Sequence, residues 1–224
     1  SQVGVPLSIL AIEGNFDFGI FEAGISLPNE MQNLEAIIQP KYGILTNIGS
    51  AHDEGFANRE AKIKEKIKLF EHSSDVFLEK NSEIENLLPK NSNKHTWSCS
   101  DETASLFVKQ KNKNGGTELT FTTKNNNFSA TIPFSDANSI ENVITCVNFM
   151  LFLGEEIAFI QDQISKLYPV ELRLQAKKGI NNCLVIDDSY SLDFQSLKIA
   201  LDFLEQQKVH PKKTIILSDI FTSG

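Results

Sequence analysis

"GILTNIGSAHDEGF", residues 43–56, begins as an apolar run and ends as chemistry. The run stops at Thr46-Asn47, and a glycine, a small residue, a histidine and two carboxylates follow at once. A short apolar run closed by polar residues reads as a buried strand whose carboxyl end opens into a loop. Upstream, "NEMQNLEAIIQP" (29–40) carries Met31, Leu34, Ile37 and Ile38 at helical spacing and meets Pro40. Downstream, Asn58 is placed to cap a helix over "REAKIKEKIKLFE" (59–71), and "DVFLEK" (75–80) is the next strand. Strand and helix alternate, which predicts an α/β fold with a mostly parallel sheet.

Further out the texture changes. "FDFGIFEAG" (16–24) is expected to be a short buried strand ending at Glu22. "ASLFVKQ", "TELTFTT" and "NFSATIPF", separated by "KNKNGG" and "KNNN", predict an antiparallel ribbon within residues 94–133. "SIENVITCVNFMLFLG" is a long apolar helix ending at Gly154, and "EIAFIQDQISKL" is a second helix. After the connector "YPVELRLQ", a β-α-β unit is expected from "CLVIDDSY", "DFQSLKIALDFLEQQ" and "KTIILSDI". The chain starts with "SQVGVPLSIL", in what reads as the middle of an element with no leader ahead of it.

Composition narrows the function classes. The 21 basic and 29 acidic side chains leave a net charge of −8, which argues against nucleic acid or an anionic membrane as main partner. A bound polyanion would have to be met by local groups. The three cysteines, Cys99, Cys146 and Cys183, have no short metal-type spacing and read as free thiols. No apolar run approaches a membrane span, and the cytoplasm is the expected compartment.

Polar residues recur at the carboxyl ends of the expected strands: Glu22, Asn47 with His52, Asp187 with Asp188, and Asp219. In open parallel sheets that edge is where ligands sit. Singly, each has a plain alternative. Glu22 can be an ordinary loop carboxylate, and His52 can cap the next helix or pack on Phe56. On the helix after His52, Ile63, Ile67 and Phe70 form one stripe at about 100° per residue. Lys66 projects about 40° from Phe70 and about 60° from Ile63, nearer that stripe than Lys62, Lys64 or Lys68. Such a lysine can snorkel or do chemistry.

The stretches "GVPLSIL", "FEAG", "TNIGSAHDEGF", "KEKI", "SIENV", "ELRLQ" and "IDDSY" resemble the Mur ligases in order and spacing. The similarity is greatest to the MurF-type branch, which adds D-alanyl-D-alanine to a UDP-N-acetylmuramoyl tripeptide. "FEAGIS" and "ILSDI" resemble members of that branch fused to an alanine racemase. The resemblance implies that residues 1–170 are part of the ATP-binding central domain. Residues 171–224 would open a Rossmann-like C-terminal domain. It implies ATP and Mg2+ as cofactors, with Glu22, His52 and Lys66 as catalytic, metal-binding residues and Lys66 carbamylated by CO2. Asn47, Asn142, Arg173 and Asp188 would bind ATP. ATP would phosphorylate the peptide's terminal carboxylate, and the amine of D-alanyl-D-alanine would displace phosphate.

The sequence also departs from the family. It contains no glycine-rich phosphate loop of the GTNGKT type, whose backbone N–H groups cradle the β- and γ-phosphates. Asn138 and Ser139 stand where the family has a histidine-asparagine pair, and "SLDF" replaces Asn-Ala-Asn-Pro after "DDSY". The expectation is therefore a partial, inactive ligase chain that binds Mg-ATP weakly. Rival readings are another Mur ligase, a folylpolyglutamate synthase, or a non-catalytic module of the same fold.

Overall fold

In the computed structural model of the chain, residues 2–48, 55–113, 115–169, 174–189 and 194–218 are described. They divide into two compact units, one formed by the described residues up to 96 and the other by those from 97 onward.

In the first unit, α1 (Gly4–Leu10) precedes an extended stretch and α2 (Glu30–Ile38). Strand β1 (Tyr42–Leu45) follows, then α3 (Arg59–Ile67), which tightens into a 3-10 turn at Lys68–Phe70. Strand β2 (Asp75–Glu79), α4 (Ser82–Leu87) and the start of β3 (Asn93–Ser98) complete it. β1 and β2 pair in parallel from Tyr42↔Asp75 to Leu45↔Leu78, so the crossover helix α3 is the expected α/β element. Its stripe is buried as expected: Ile63, Ile67 and Phe70 join Leu45, Val76 and Leu78 in one core. A Cβ on Gly43 would overlap the Phe70 ring, so the strand must be bare there to let the turn close on it. A smaller core of Val5, Ile25, Met31 and Leu34 lies under α1 and α2.

In the second unit, the end of β3 pairs in parallel with β4 (Leu106–Lys113) through Trp97↔Leu106. β4, β5 (Gly116–Thr122) and β6 (Asn127–Ile132) then form the expected antiparallel ribbon. Helices α5 (Ala137–Leu153) and α6 (Ile157–Ser165) contribute Ile140, Ile144, Val147 and Ile160 to its apolar core. α5 ends at Gly154, as the sequence predicts. β7 (Gln175–Lys178) and β8 (Leu184–Asp187) make a separate antiparallel pair, followed by α7 (Phe194–Gln206).

Three expectations are corrected. Residues 16–24 are not a strand: Phe16, Phe18 and Ile20 alternate as in one but are 71%, 60% and 93% exposed. No described strand pairs with them, and alternation without a ladder does not make a strand. Residues 213–218 fail for the same reason, with Ile215, Ile216 and Leu217 exposed and unpaired among the described residues. Residues 94–98, at the start of the 94–133 span expected to hold the antiparallel ribbon, belong instead to β3, which runs parallel to β4. All three cysteines are free. Among the described residues, no helix is long and apolar enough to cross a membrane.

Candidate active site

The site begins with how two loops are held. Ser26 and Leu27 donate their backbone N–H groups to one oxygen of Glu30, at 2.7 and 2.9 Å, and these bonds hold that carboxyl below the usual glutamate range. The segment carrying Glu22 is thereby tied to the first turn of α2. The carbonyl of the same Ser26 lies against Gly55, where a Cβ would collide with its oxygen. One residue later, Phe56 packs on the small core that Ala23 also joins. The residue after Glu22 and the end of the "AHDEGF" loop therefore share one patch of packing.

The helix leaving that loop is positioned by its ends. Asn58 accepts from the Ala61 N–H at 2.8 Å, the expected cap. Glu65 then reaches out of α3 and accepts from the Met31 N–H at 3.1 Å, inside the first turn of α2. Asn29, the residue in line to cap α2, has a left-handed φ of 67° and makes no side-chain cap bond. The other oxygen of Glu65 pairs with Lys68 at 2.7 Å. Burial pushes the Glu65 carboxyl up, but Lys68 and the backbone donors Met31 and Asn29 outweigh it and hold the group low. Nothing in the sequence reading pointed to Glu65 or Gly55; the signal for both is steric or long-range.

Glu22 and Asn47 are exposed, Asn47 two residues past the end of β1. Lys66 is half-buried on α3, and burial first, then the charge of Lys62, hold it below an ordinary lysine. No carboxylate among the described residues acts on it. The inward order of the lysines needs correction: Lys62 is only 2% exposed, whereas Lys66 retains partial access. The helical wheel places side chains around one axis, while burial depends on what packs against each.

In the second unit, Asn142 is exposed on α5 and Asp188 accepts from the Leu174 N–H at 3.1 Å. Neighbouring Asp187 is held low by hydrogen bonds from Ser189 and Lys177. His52, Arg173 and Asp219 lie outside the described residues. Among the described residues no group of three or more His, Cys, Asp or Glu side chains is placed to hold a metal. The carboxylate oxygens of exposed Glu22 nonetheless suit a hard cation such as Mg2+.

Residues 1–150 match the model of the Mur ligase middle domain. Over its whole length the chain is 28% identical to the UDP-N-acetylmuramoyl-tripeptide–D-alanyl-D-alanine ligase of Borreliella burgdorferi, covering 49% of that protein. It spans about half the length of the curated relatives it matches. A crystal structure of MurF from Acinetobacter baumannii superposes with a TM-score of 0.81 at 21% identity, over 92% of this chain and 46% of that one. The MurF ligase of Thermotoga maritima in complex with ADP gives 0.68 at 22% identity, over 80% and 42%. At these identities the structures speak for the fold.

Proposed function

Because the chain belongs to the Mur ligase family, whose middle-domain model spans residues 1–150, we propose that it is the central part of an ATP-dependent amide ligase. The ligase joins D-alanyl-D-alanine to a UDP-N-acetylmuramoyl tripeptide in cytoplasmic peptidoglycan precursor synthesis. Residues 1–170 belong to the ATP-binding domain and 171–224 open the C-terminal one. The description of the Borreliella burgdorferi relative supports the substrates, and the ADP-bound Thermotoga maritima protein supports the nucleotide. A racemase fusion has no support in these relatives and is not part of the reading.

The terminal carboxylate of the tripeptide attacks the γ-phosphorus of ATP, giving an acyl phosphate and ADP. The amine of D-alanyl-D-alanine adds to the acyl carbon, phosphate leaves with the bonding pair, and the amine gives up a proton as the amide forms. Asn47, Asn142, Arg173 and Asp188 hold and orient the nucleotide. Glu22, His52 and a carbamylated Lys66 hold Mg2+, which when bound neutralises charge on the phosphates. The carbamate turns the half-buried cation of Lys66 into an anionic oxygen donor. The observation that carries this reading is the pinning of the Gly55-Phe56 loop end on the segment of Glu22.

The test is a ligation assay on the intact protein that contains this chain, scored by product mass and phosphate release. Tripeptide and D-alanyl-D-alanine should give product, while a pteroyl substrate with glutamate should not; the reverse result identifies a folate ligase instead. Lys66→Ala should abolish most ligation while leaving the fold intact. Short carboxylic acids should partly rescue it and alkylamines should not. Amine rescue alone would show that Lys66 acts as a cation.

A further inference from the structure

α3 buries a carboxylate, Glu65, to cap a helix other than its own. Glu65 is 4% exposed, and it accepts from the backbone N–H groups of Met31, at 3.1 Å, and of Asn29. Asparagine is a good cap for the helix it precedes, and capping with it would bury no charge. Asn29 nevertheless makes no side-chain cap bond, so α2 starts on a group supplied by α3. What this bond adds beyond capping is a tie between two helices. The tie closes a ring. Next to Met31, Glu30 holds the Ser26 and Leu27 N–H groups at 2.7 and 2.9 Å. The Ser26 carbonyl lies against Gly55, and from there the chain runs to Asn58, whose side chain caps α3 itself. Glu22 lies four residues before Ser26, and Lys66 directly follows Glu65.

We propose that Glu65 is a positioning residue: by tying α3 to the first turn of α2, it fixes the separation between the segment of Glu22 and Lys66. The proposal rests on the reading of Glu22 and Lys66 as metal-binding residues given above. Mg2+ demands near-ideal octahedral geometry with ligands at about 2.0–2.1 Å, so a shift of one side chain against the other lowers affinity even with both present. Glu22 is exposed and lies in no strand, so its segment is held by the packing of Ala23 and Ile25 and by the bonds of Ser26 and Leu27 to α2. Whatever holds α2 on α3 therefore holds Glu22 to Lys66. Glu65 does this through its length and an acceptor oxygen, while its other oxygen pairs with Lys68 at 2.7 Å.

The test titrates Mn2+, in place of Mg2+, into the intact protein that contains this chain, with one equivalent of ADP, and reads free Mn2+ by electron paramagnetic resonance. Glu22→Ala and Lys66→Ala mark the affinity lost with a ligand. Glu65→Gln keeps the length and an acceptor oxygen and should bind Mn2+ as the wild type does. Glu65→Asp keeps the charge but is one methylene short, and Glu65→Ala has neither; both should raise the dissociation constant roughly tenfold. Hydrogen exchange at the Met31 amide, measured without metal or nucleotide, should quicken in those two variants and not in Glu65→Gln. Lys68→Met removes the ion pair but not the tie and should match the wild type in both measurements. Wild-type affinity in folded Glu65→Ala or Glu65→Asp, or a tenfold loss in Glu65→Gln, overturns the role of Glu65 and leaves the metal site standing. If Glu65→Ala unfolds, the glutamine and aspartate variants decide by the same criteria. No Mn2+ binding in the wild type, or binding unchanged in Glu22→Ala and Lys66→Ala, overturns the reading of the metal site and this proposal with it.

Discussion

Gly55 and Glu65 show how single side chains position the candidate site. At Gly55 the neighbour is backbone, the Ser26 carbonyl, which cannot swing away as a flexible side chain would. Gly55→Ala should therefore cost about 1–3 kcal/mol, the usual range for forcing atoms into filled space, measured as a lower urea midpoint. Glu65→Ala leaves the Met31 N–H and Lys68 without their acceptor, and about 1–3 kcal/mol is expected for such a buried loss. A third residue pair gives a pH signature. The exposed ring of His72 donates from Nδ1 to buried Glu35 at 2.9 Å, and this bond, then the Glu35 charge, raises the histidine above its ordinary 6.5. A raised value in the folded state means the protonated ring is the stabilising form. That stabilisation is complete below pH 6.5 and is lost as pH climbs through the raised value. Unfolding midpoints measured from pH 6 to 8.5 should fall more steeply for the wild type than for His72→Asn.

At the scale of elements, α3 carries Lys66, the half-buried lysine proposed above to hold a metal. Its start depends on the Asn58 side chain, so Asn58→Ala should cost about 1 kcal/mol by denaturant unfolding. This cap and the Ile63–Ile67–Phe70 stripe are legible from sequence, because both follow from spacing within one helix. Strands were less legible. Residues 42–45 and 75–79 form strands by pairing with each other, whereas the equally apolar residues 16–20 and 213–218 have no described partner. β7 escaped notice because Gln175–Lys178 is neither apolar nor alternating, and its strand character comes from pairing with β8.

Across the whole molecule each compact unit has its own apolar core. Leu45, Ile63, Phe70 and Val76 stand in the first, and Trp97, Leu119, Phe121 and Ile144 in the second. Ile63→Ala should cost about 2–5 kcal/mol and Phe121→Ala about 3–5 kcal/mol, since both side chains are fully enclosed. Segment-resolved hydrogen exchange should show the first loss concentrated in α3, β1 and β2. The second should appear in β4, β5, β6 and α5, where Phe121 stacks on Phe128 at 5.0 Å.

By itself, the sequence determined the helices with their stripes and caps, the antiparallel ribbon and the residue types at the candidate site. These depend on neighbours within a few positions, where spacing and chemistry are the whole of the physics. Only tertiary structure decided that Lys62 is buried more deeply than Lys66, that Glu65 caps a helix other than its own, and that Gly55 must lack a side chain. Each of these depends on an atom brought in from far along the chain, and local periodicity carries no information about its arrival.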